Sequence, residues 1–264
     1  MIKPWMLIPP IVGGGGSQVP PVANLSLWLK ADAITGLSDG DSVSSWADFS
    51  GNENDAAQAT AAHQPVYKTG IINGKPVVRF APSAGNEKIM DVADDDTIDL
   101  TSAFTIYAVA YVNGRYNTTD SGFLFVKAGS TDASGAQYGF GGGNDRWVVN
   151  CAFGGSSWQD HMSSNDQAWP TQTWVVVSAY YDGTNVIIEN HGDATGPTSL
   201  GDTDAPVAST GLLQIGGYSH SWSGDEYFQG DIAEILIYKS THDAATRNQI
   251  IEYLQTKYNI APAE

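Results

Sequence analysis

Carboxylates, histidines and loop aromatics are the residues of this 264-residue chain that could do chemistry. Cleavage of a glycosidic bond needs two carboxyl groups facing each other across the bond, and residues i and i+2 or i+4 of a strand share a face. Glycan-cleaving enzymes set two glutamates and an aspartate on one strand face, and the chain has no such run. Asp231 and Glu234 stand three apart, which on a regular strand sends them to opposite faces. Asp225 and Glu226 are adjacent and diverge as well. The five histidines, His63, His161, His191, His220 and His242, are scattered and form no short metal-ligand pair. Gly217-Tyr218-Ser219-His220-Ser221 lacks the closing glycine of a nucleophile elbow. Gly139-Phe140-Gly141-Gly142-Gly143 has no helix after it to cradle a phosphate. Cys151 is the lone cysteine; it alternates with Trp147, Val149 and Phe153 and is expected to be a core thiol.

Two binding chemistries remain. Asp94-Asp95-Asp96, with Asp91 and Asp99 nearby, is one of the densest acidic stretches, and calcium takes several oxygen ligands from such loops. Asp94 and Asp96 are the expected ligands if calcium binds; a solvated acidic loop is the other reading, and no other cofactor is expected. Sugar binding needs exposed aromatic faces beside polar groups. Trp158 follows Gly154-Gly155-Ser156-Ser157, and Trp222 lies close to Tyr218 and His220, in sequence with loop character. With Tyr227 they form the candidate stacking set: Trp158, Tyr218, Trp222 and Tyr227. A subunit interface or a cover over the core would use the same residues. Trp28, Trp46, Trp147 and Trp174 sit in strand-like sequence and are assigned to packing.

Composition narrows the function classes. The formal net charge is −17, from 29 acidic and 12 basic residues, yet only 16% of residues are charged, below the ~25% usual in soluble domains. Such a surplus repels phosphate backbones and anionic membranes, so neither is expected as a partner. One cysteine forbids an internal disulfide. High glycine, many aromatics and few charges favour an all-β chain rich in turns.

The elements follow from alternation and turn signals. Residues 104–112 read as a strand ending at the turn pair Asn113-Gly114. Strands are also expected over 123–126, 146–153, 212–215 and 232–238. Residues 174–181 and 185–189 read as a hairpin about Asp182-Gly183. One helix closes the chain: Asp243 can cap it, and Ile250, Ile251, Leu254 and Tyr258 share one face. A two-sheet antiparallel sandwich with one C-terminal helix is the expected fold.

Residues 1–21 stand apart. They carry no acid, and Pro4, Pro9 and Pro10 break the apolar run that a signal peptide or a membrane span would need. Gly13 to Gly16 and Pro20-Pro21 read as a tether. The expectation is an anchoring arm over 1–21 followed by one domain over 22–264. Trp5, Leu7 and Ile8 would seat in a groove of a partner chain, within an oligomeric assembly. An arm folded back on its own domain is the alternative.

Three stretches resemble LamG-like jelly-roll domains of the concanavalin A-like lectin/glucanase superfamily. They are Leu27-Trp28-Leu29-Lys30-Ala31-Asp32 with Val43 to Gly51, then Trp174 to Thr184, and finally Gly230-Asp231-Ile232-Ala233-Glu234-Ile235-Leu236-Ile237-Tyr238 with the helix ending Tyr253-Leu254-Gln255-Thr256-Lys257-Tyr258. The resemblance implies a convex and a concave sheet with ligand loops at one rim, and a recognition role, often towards glycans. The family hosts many functions, so none follows from fold alone. The arm, with Lys3-Pro4-Trp5 and Ile8-Pro9-Pro10, resembles the start of structural proteins of tailed bacteriophages. On that resemblance the chain is expected to be a non-catalytic virion surface protein, a capsid decoration or tail-fibre part made in the host cytoplasm, with other virion proteins as partners and cell-surface glycans as a further ligand class. A glycan-binding accessory module of a bacterial surface protein or enzyme, or a glycoside hydrolase of the same fold, are the alternatives.

Overall fold

A computed structural model describes residue 20 and residues 23–115, 121–128, 136–143, 146–151, 159–162, 172–191, 198–199, 207–218 and 226–261. Trp5, Leu7, Ile8, Trp158 and Trp222 lie outside the described residues, as does the side chain of Cys151. In chain order the strands are β1 (Leu25–Lys30), β2 (Ser45–Trp46), β3 (Ala56–Ala57), β4 (Val66–Ile72), β5 (Lys75–Phe80), β6 (Met90–Val92), β7 (Phe104–Arg115), β8 (Ser121–Ala128) and β9 (Ala136–Gly143). There follow β10 (Arg146–Cys151), β11 (Gln159–Met162), β12 (Trp174–Tyr181), β13 (Val186–Asn190), β14 (Thr198–Ser199), β15 (Leu213–Ile215), β16 (Gly217–Tyr218) and β17 (Glu226–Tyr238), then the helix α1 (Ala244–Tyr258).

Pairing sorts the strands into two sheets. The helix-side sheet runs β14–β13–β12–β7–β17, all antiparallel. The far edge of β17 is shared: β5 pairs with Gly230–Ile232 and carries β4, and β1 pairs along Glu234–Tyr238. The opposite sheet runs β11–β10–β9–β8–β15–β6–β3–β2. The first residues of β17 pair with β16 and meet β8 in parallel at Tyr227↔Phe123, so this one strand stitches the two sheets together.

Alternation dictates which side chains fill the sandwich. Phe104, Ile106, Ala108, Ala110 and Val112 of β7 point into the core between the sheets, with Trp46, Tyr138, Phe140 and Trp147 from the other side. The intervening Tyr107 and Val109 point outward, beneath α1. That helix buries Ile250, Ile251, Leu254 and Tyr258 against the sheet, as its periodicity predicts. Each such side chain contributes roughly 1.5–3 kcal/mol on burial. Asp243 caps the start by accepting from Thr246 N–H at 2.7 Å, and Asn259 ends the helix in the left-handed region.

The sandwich, the closing helix and the 174–189 hairpin agree with the sequence reading. The turn at Asn113-Gly114 does not: β7 runs straight through to Arg115. Val112, Gly114 and Arg115 find ladder partners on β17, and those long-range bonds outweigh a local turn preference. The 232–238 strand is likewise longer, beginning at Glu226.

Candidate functional site

Four neighbouring strands of the helix-side sheet place four outward residues in one row. Arg79 of β5 stands opposite Asp231 of β17, Asp231 opposite Tyr111 of β7, and Tyr111 opposite Trp174 of β12. Directly opposed residues lie on the same face, so the register alone gathers them. Arg79 donates from Nε to Asp231 Oδ1 at 2.6 Å and from Nη2 to Oδ2 at 2.7 Å. Asp231 is buried, while the Arg79 side chain keeps 40% exposure. This bidentate pairing raises the Arg79 pKa further and leaves the pair neutral as a unit. Tyr111 and Trp174 are half-buried, with ring centroids 5.5 Å apart at 49°.

A cleft of about 300 Å³ opens over three members of this row, Arg79, Asp231 and Tyr111, with Trp174 behind Tyr111 and outside the lining. Besides Arg79, Tyr111 and Asp231, it is lined by Asn113 and Gln229, which add amide groups. Gly230 forms part of its wall. A Cβ at this position would lie 2.1 Å from the Tyr111 carbonyl oxygen, so only glycine permits β17 and β7 to close to this distance. An aromatic face, an amide pair and a fixed donor–acceptor edge in one recess can grip a polyhydroxylated ring.

Two other clusters on the same sheet face have chemical residues but structural roles. A bulge between Ile232 and Glu234 shifts the phase of β17. It turns Glu234 outward, to the same face as Asp231, contrary to the opposite-face expectation for a regular strand. Glu234 is fully buried and accepts from Trp28 Nε1 at 2.6 Å, Lys257 Nζ at 2.7 Å, Tyr258 OH at 2.8 Å and Tyr253 OH at 3.2 Å. It clamps α1 to the sheet and has no oxygen free for acid–base work. Ser178 Oγ shares a 2.9 Å hydrogen bond with His191 Nε2, while Glu189 Oε2 lies 3.5 Å from that same nitrogen. A relay needs its acid on the other ring nitrogen. Burial lowers the His191 pKa to about 4 and raises that of Glu189, so the imidazole stays neutral.

The sequence candidates fall elsewhere. Tyr218 is half-buried and packs on Phe123, Val126 and Ala128 on the outer face of the opposite sheet. Tyr227 is 2% exposed, which leaves almost no face for a sugar. Asp94 pairs with Lys127 Nζ, a buried ammonium that also meets Asp99 Oδ1 at 3.3 Å and the Gly211 carbonyl at 2.9 Å. Asp96 is exposed, and its carbonyl accepts from Lys239 Nζ at 2.6 Å. Asp95 caps the short turn that follows, accepting from Thr97 N–H at 2.8 Å. A cation thus already serves the Asp94 loop, supplied by Lys127. Among the described residues no cluster of three metal-ligating side chains occurs.

Trp174, assigned to packing, is only half-buried: one part leans on the helix-side core and its ring meets Tyr111. Arg79, Tyr111, Asn113 and Gln229 escaped the sequence reading. Arg79 stands between the core residues Val78 and Phe80, and a charge flanked by buried apolar neighbours in a strand is the signal that could have found it.

Known proteins place this geometry in context. No curated protein matches the chain in sequence. Among solved structures, the binding domain of Paraclostridial mosquitocidal protein 1 superposes with a TM-score of 0.59 at 13% identity, over 88% of this chain and 52% of that one. A botulinum neurotoxin type C structure, described as depending on two ganglioside molecules for cell entry, gives 0.57 at 15% identity, over 89% and 52%. The chain therefore spans about half the length of these toxin domains. Domain 4 of AbnA, a GH43 extracellular arabinanase from Geobacillus stearothermophilus solved with arabinotriose, gives 0.56 at 14% identity, over 86% and 98%. These likenesses are of fold. Residues 84–248, more than half of the sequence, match the family described as the concanavalin A-like lectin/glucanases superfamily. From β6 to the start of α1 that match runs along both sheets of the sandwich, and the chain belongs to the concanavalin A-like lectin/glucanases superfamily.

Proposed function

We propose that this domain is a non-catalytic carbohydrate-binding module and that the cleft over Arg79, Asp231 and Tyr111 is its sugar site. The single observation that carries the reading is that row: the half-buried Tyr111 ring, packed on Trp174, lines one recess with a rigid ion pair whose Arg79 end is open to solvent. The fold supports it, since the superposed structures include toxin binding domains and the arabinanase domain solved with arabinotriose. The occupied state of Glu234 and the misaligned Ser178–His191–Glu189 cluster support the non-catalytic part.

Residues 1–21 complete the proposal as an attachment segment to a larger assembly, such as a tailed-phage virion, on the strength of their apolar, acid-free composition. Removing residues 1–16 then abolishes co-assembly and leaves the melting temperature unchanged; a collapse of the melting temperature counts against it.

The test of the sugar site is a glycan array on the purified chain, followed by calorimetry on the hits. Wild type binds one or more oligosaccharides and releases no product from them. Trp174→Ala and Tyr111→Ala each weaken binding by about 1–2 kcal/mol with the fold intact. Array silence, or hits indifferent to both variants, removes the cleft as the site. Product release would make the protein an enzyme.

A further inference from the structure

The chemistry of the ion pair specifies the class of sugar, given the reading above. We infer that the cleft selects uncharged glycans, and that the Arg79–Asp231 pair reads neighbouring hydroxyls of a ring lying against Tyr111. Arg79 gives Asp231 its Nε–H and one Nη2–H. Its remaining N–H groups are donors, and its side chain is 40% exposed. Each Asp231 oxygen keeps a lone pair after accepting one bond. Arg79 therefore offers an open donor edge, and Asp231, only 4% exposed but lining the cleft, sets an acceptor at its floor beside it, the two held rigid by a bidentate fork.

A sugar hydroxyl both donates and accepts, so two adjacent hydroxyls complement such an edge. An anionic group does not. A carboxylate or sulfate would face Asp231 as well as Arg79, and the guanidinium charge is already neutralised. The net charge of −17 opposes anionic glycans at longer range. Asn113 and Gln229, the other polar side chains of the cleft, are neutral amides that suit hydroxyls equally well. The further charge that acts on Arg79 is Asp39, again an acid. The donors and acceptors of this edge all come from side chains, so the inferred recognition uses no metal.

The experiment is calorimetry of the full chain in excess chelator. The ligands are neutral oligosaccharides (arabinotriose, cellotetraose, xylotetraose, mannotetraose) set against sialyllactose, oligogalacturonate and a heparin-derived tetrasaccharide. Wild type binds at least one neutral sugar and binds the anionic set at least about tenfold more weakly. Asp231→Asn, which frees the guanidinium and keeps the shape, weakens neutral binding about tenfold and strengthens anionic binding. Arg79 can turn to solvent in that variant, and its melting curve is recorded to show that the fold persists.

Preference of wild type for anionic sugars, with binding lost in Tyr111→Ala, overturns the inference and leaves the cleft as the sugar site. Neutral binding that needs Tyr111 but ignores Asp231→Asn, or that chelator abolishes, overturns it likewise. Binding indifferent to Tyr111→Ala, or none to either set, overturns the site reading and the inference with it.

Discussion

Glu234 is fully shielded from solvent, yet four donors from β1 and α1 converge on its two oxygens. Lys257 supplies the opposite charge and is itself shared with Asp32 at 3.0 Å. Breaking one partner of a buried charge network leaves the rest uncompensated. Glu234→Gln should therefore cost about 3 kcal/mol, read as a lower urea midpoint. The proposed sugar site should be less affected, because Asp231 holds Arg79 without help from Glu234. The two acids of β17 thus divide the work: Glu234 secures the helix and Asp231 arms the cleft. Trp174 sits between these roles, one side on the core and the other on Tyr111.

At the scale of elements, β17 decides most of what the domain can do. Its first residues belong to the opposite sheet, its middle pairs with β5 and β7, and its end pairs with β1 and β7. Two irregularities in its pairing with β7, at Gln229/Gly230 and Ile232/Glu234, set which side chains face outward. Gly230 is the tightest point. Gly230→Ala would press a methyl group onto the Tyr111 backbone and the Phe228 ring. It should cost about 3 kcal/mol and weaken sugar binding, because the strands that align Tyr111 with Asp231 must part. Paired thermal melts and sugar titrations measure both effects; unchanged binding in a folded Gly230→Ala protein would show that this spacing is not what aligns the site.

Over the whole molecule, the acid response between pH 7 and pH 5 should be governed by two histidines, while Asp39, Asp95, Asp182 and Asp243, whose pKa values hydrogen bonds lower, withdraw their stabilisation at lower pH. His191 and His242 lie beneath or beside α1, and burial lowers both pKa values from 6.5 to about 4. Arg247, stacked on Tyr180 at 4.1 Å, disfavours the charged form of each. Between pH 6.5 and 4 the unfolded chain then holds more protons than the folded one. Stability is present above pH 6.5 and is lost as pH falls through this window, by up to about 1.4 kcal/mol per pH unit for each histidine. Glu189 acts in the opposite sense, since its raised pKa makes the folded state the better proton binder just above pH 4.5. Melting temperatures should thus drop between pH 7 and pH 5. The double variant His191→Gln/His242→Gln should flatten that slope even if its melting point at pH 7 is lower; an unchanged slope would assign the acid response to other groups.

Much of this was legible in the residues alone. Alternation in 104–112, the Asp182-Gly183 hairpin and the helical spacing of Ile250, Ile251, Leu254 and Tyr258 are local patterns, and local patterns specify which face is apolar. They sufficed for a two-sheet sandwich with a closing helix. The candidate site was less accessible. Tyr227, chosen for its place beside loop-like sequence, is buried where β17 crosses to the opposite sheet. Arg79, Tyr111, Trp174 and Asp231 come from four strands far apart in the chain, and only pairing register brings them to one row. The face on which Glu234 emerges depends on a bulge that no i, i+2 rule foresees. The sequence by itself determined the class of fold, the core and the acidic charge balance. Tertiary structure alone decided which acids are spent on packing and which aromatics meet a charge at the surface, because one extra residue in a strand, or one step of register, moves a side chain to the other face of a sheet.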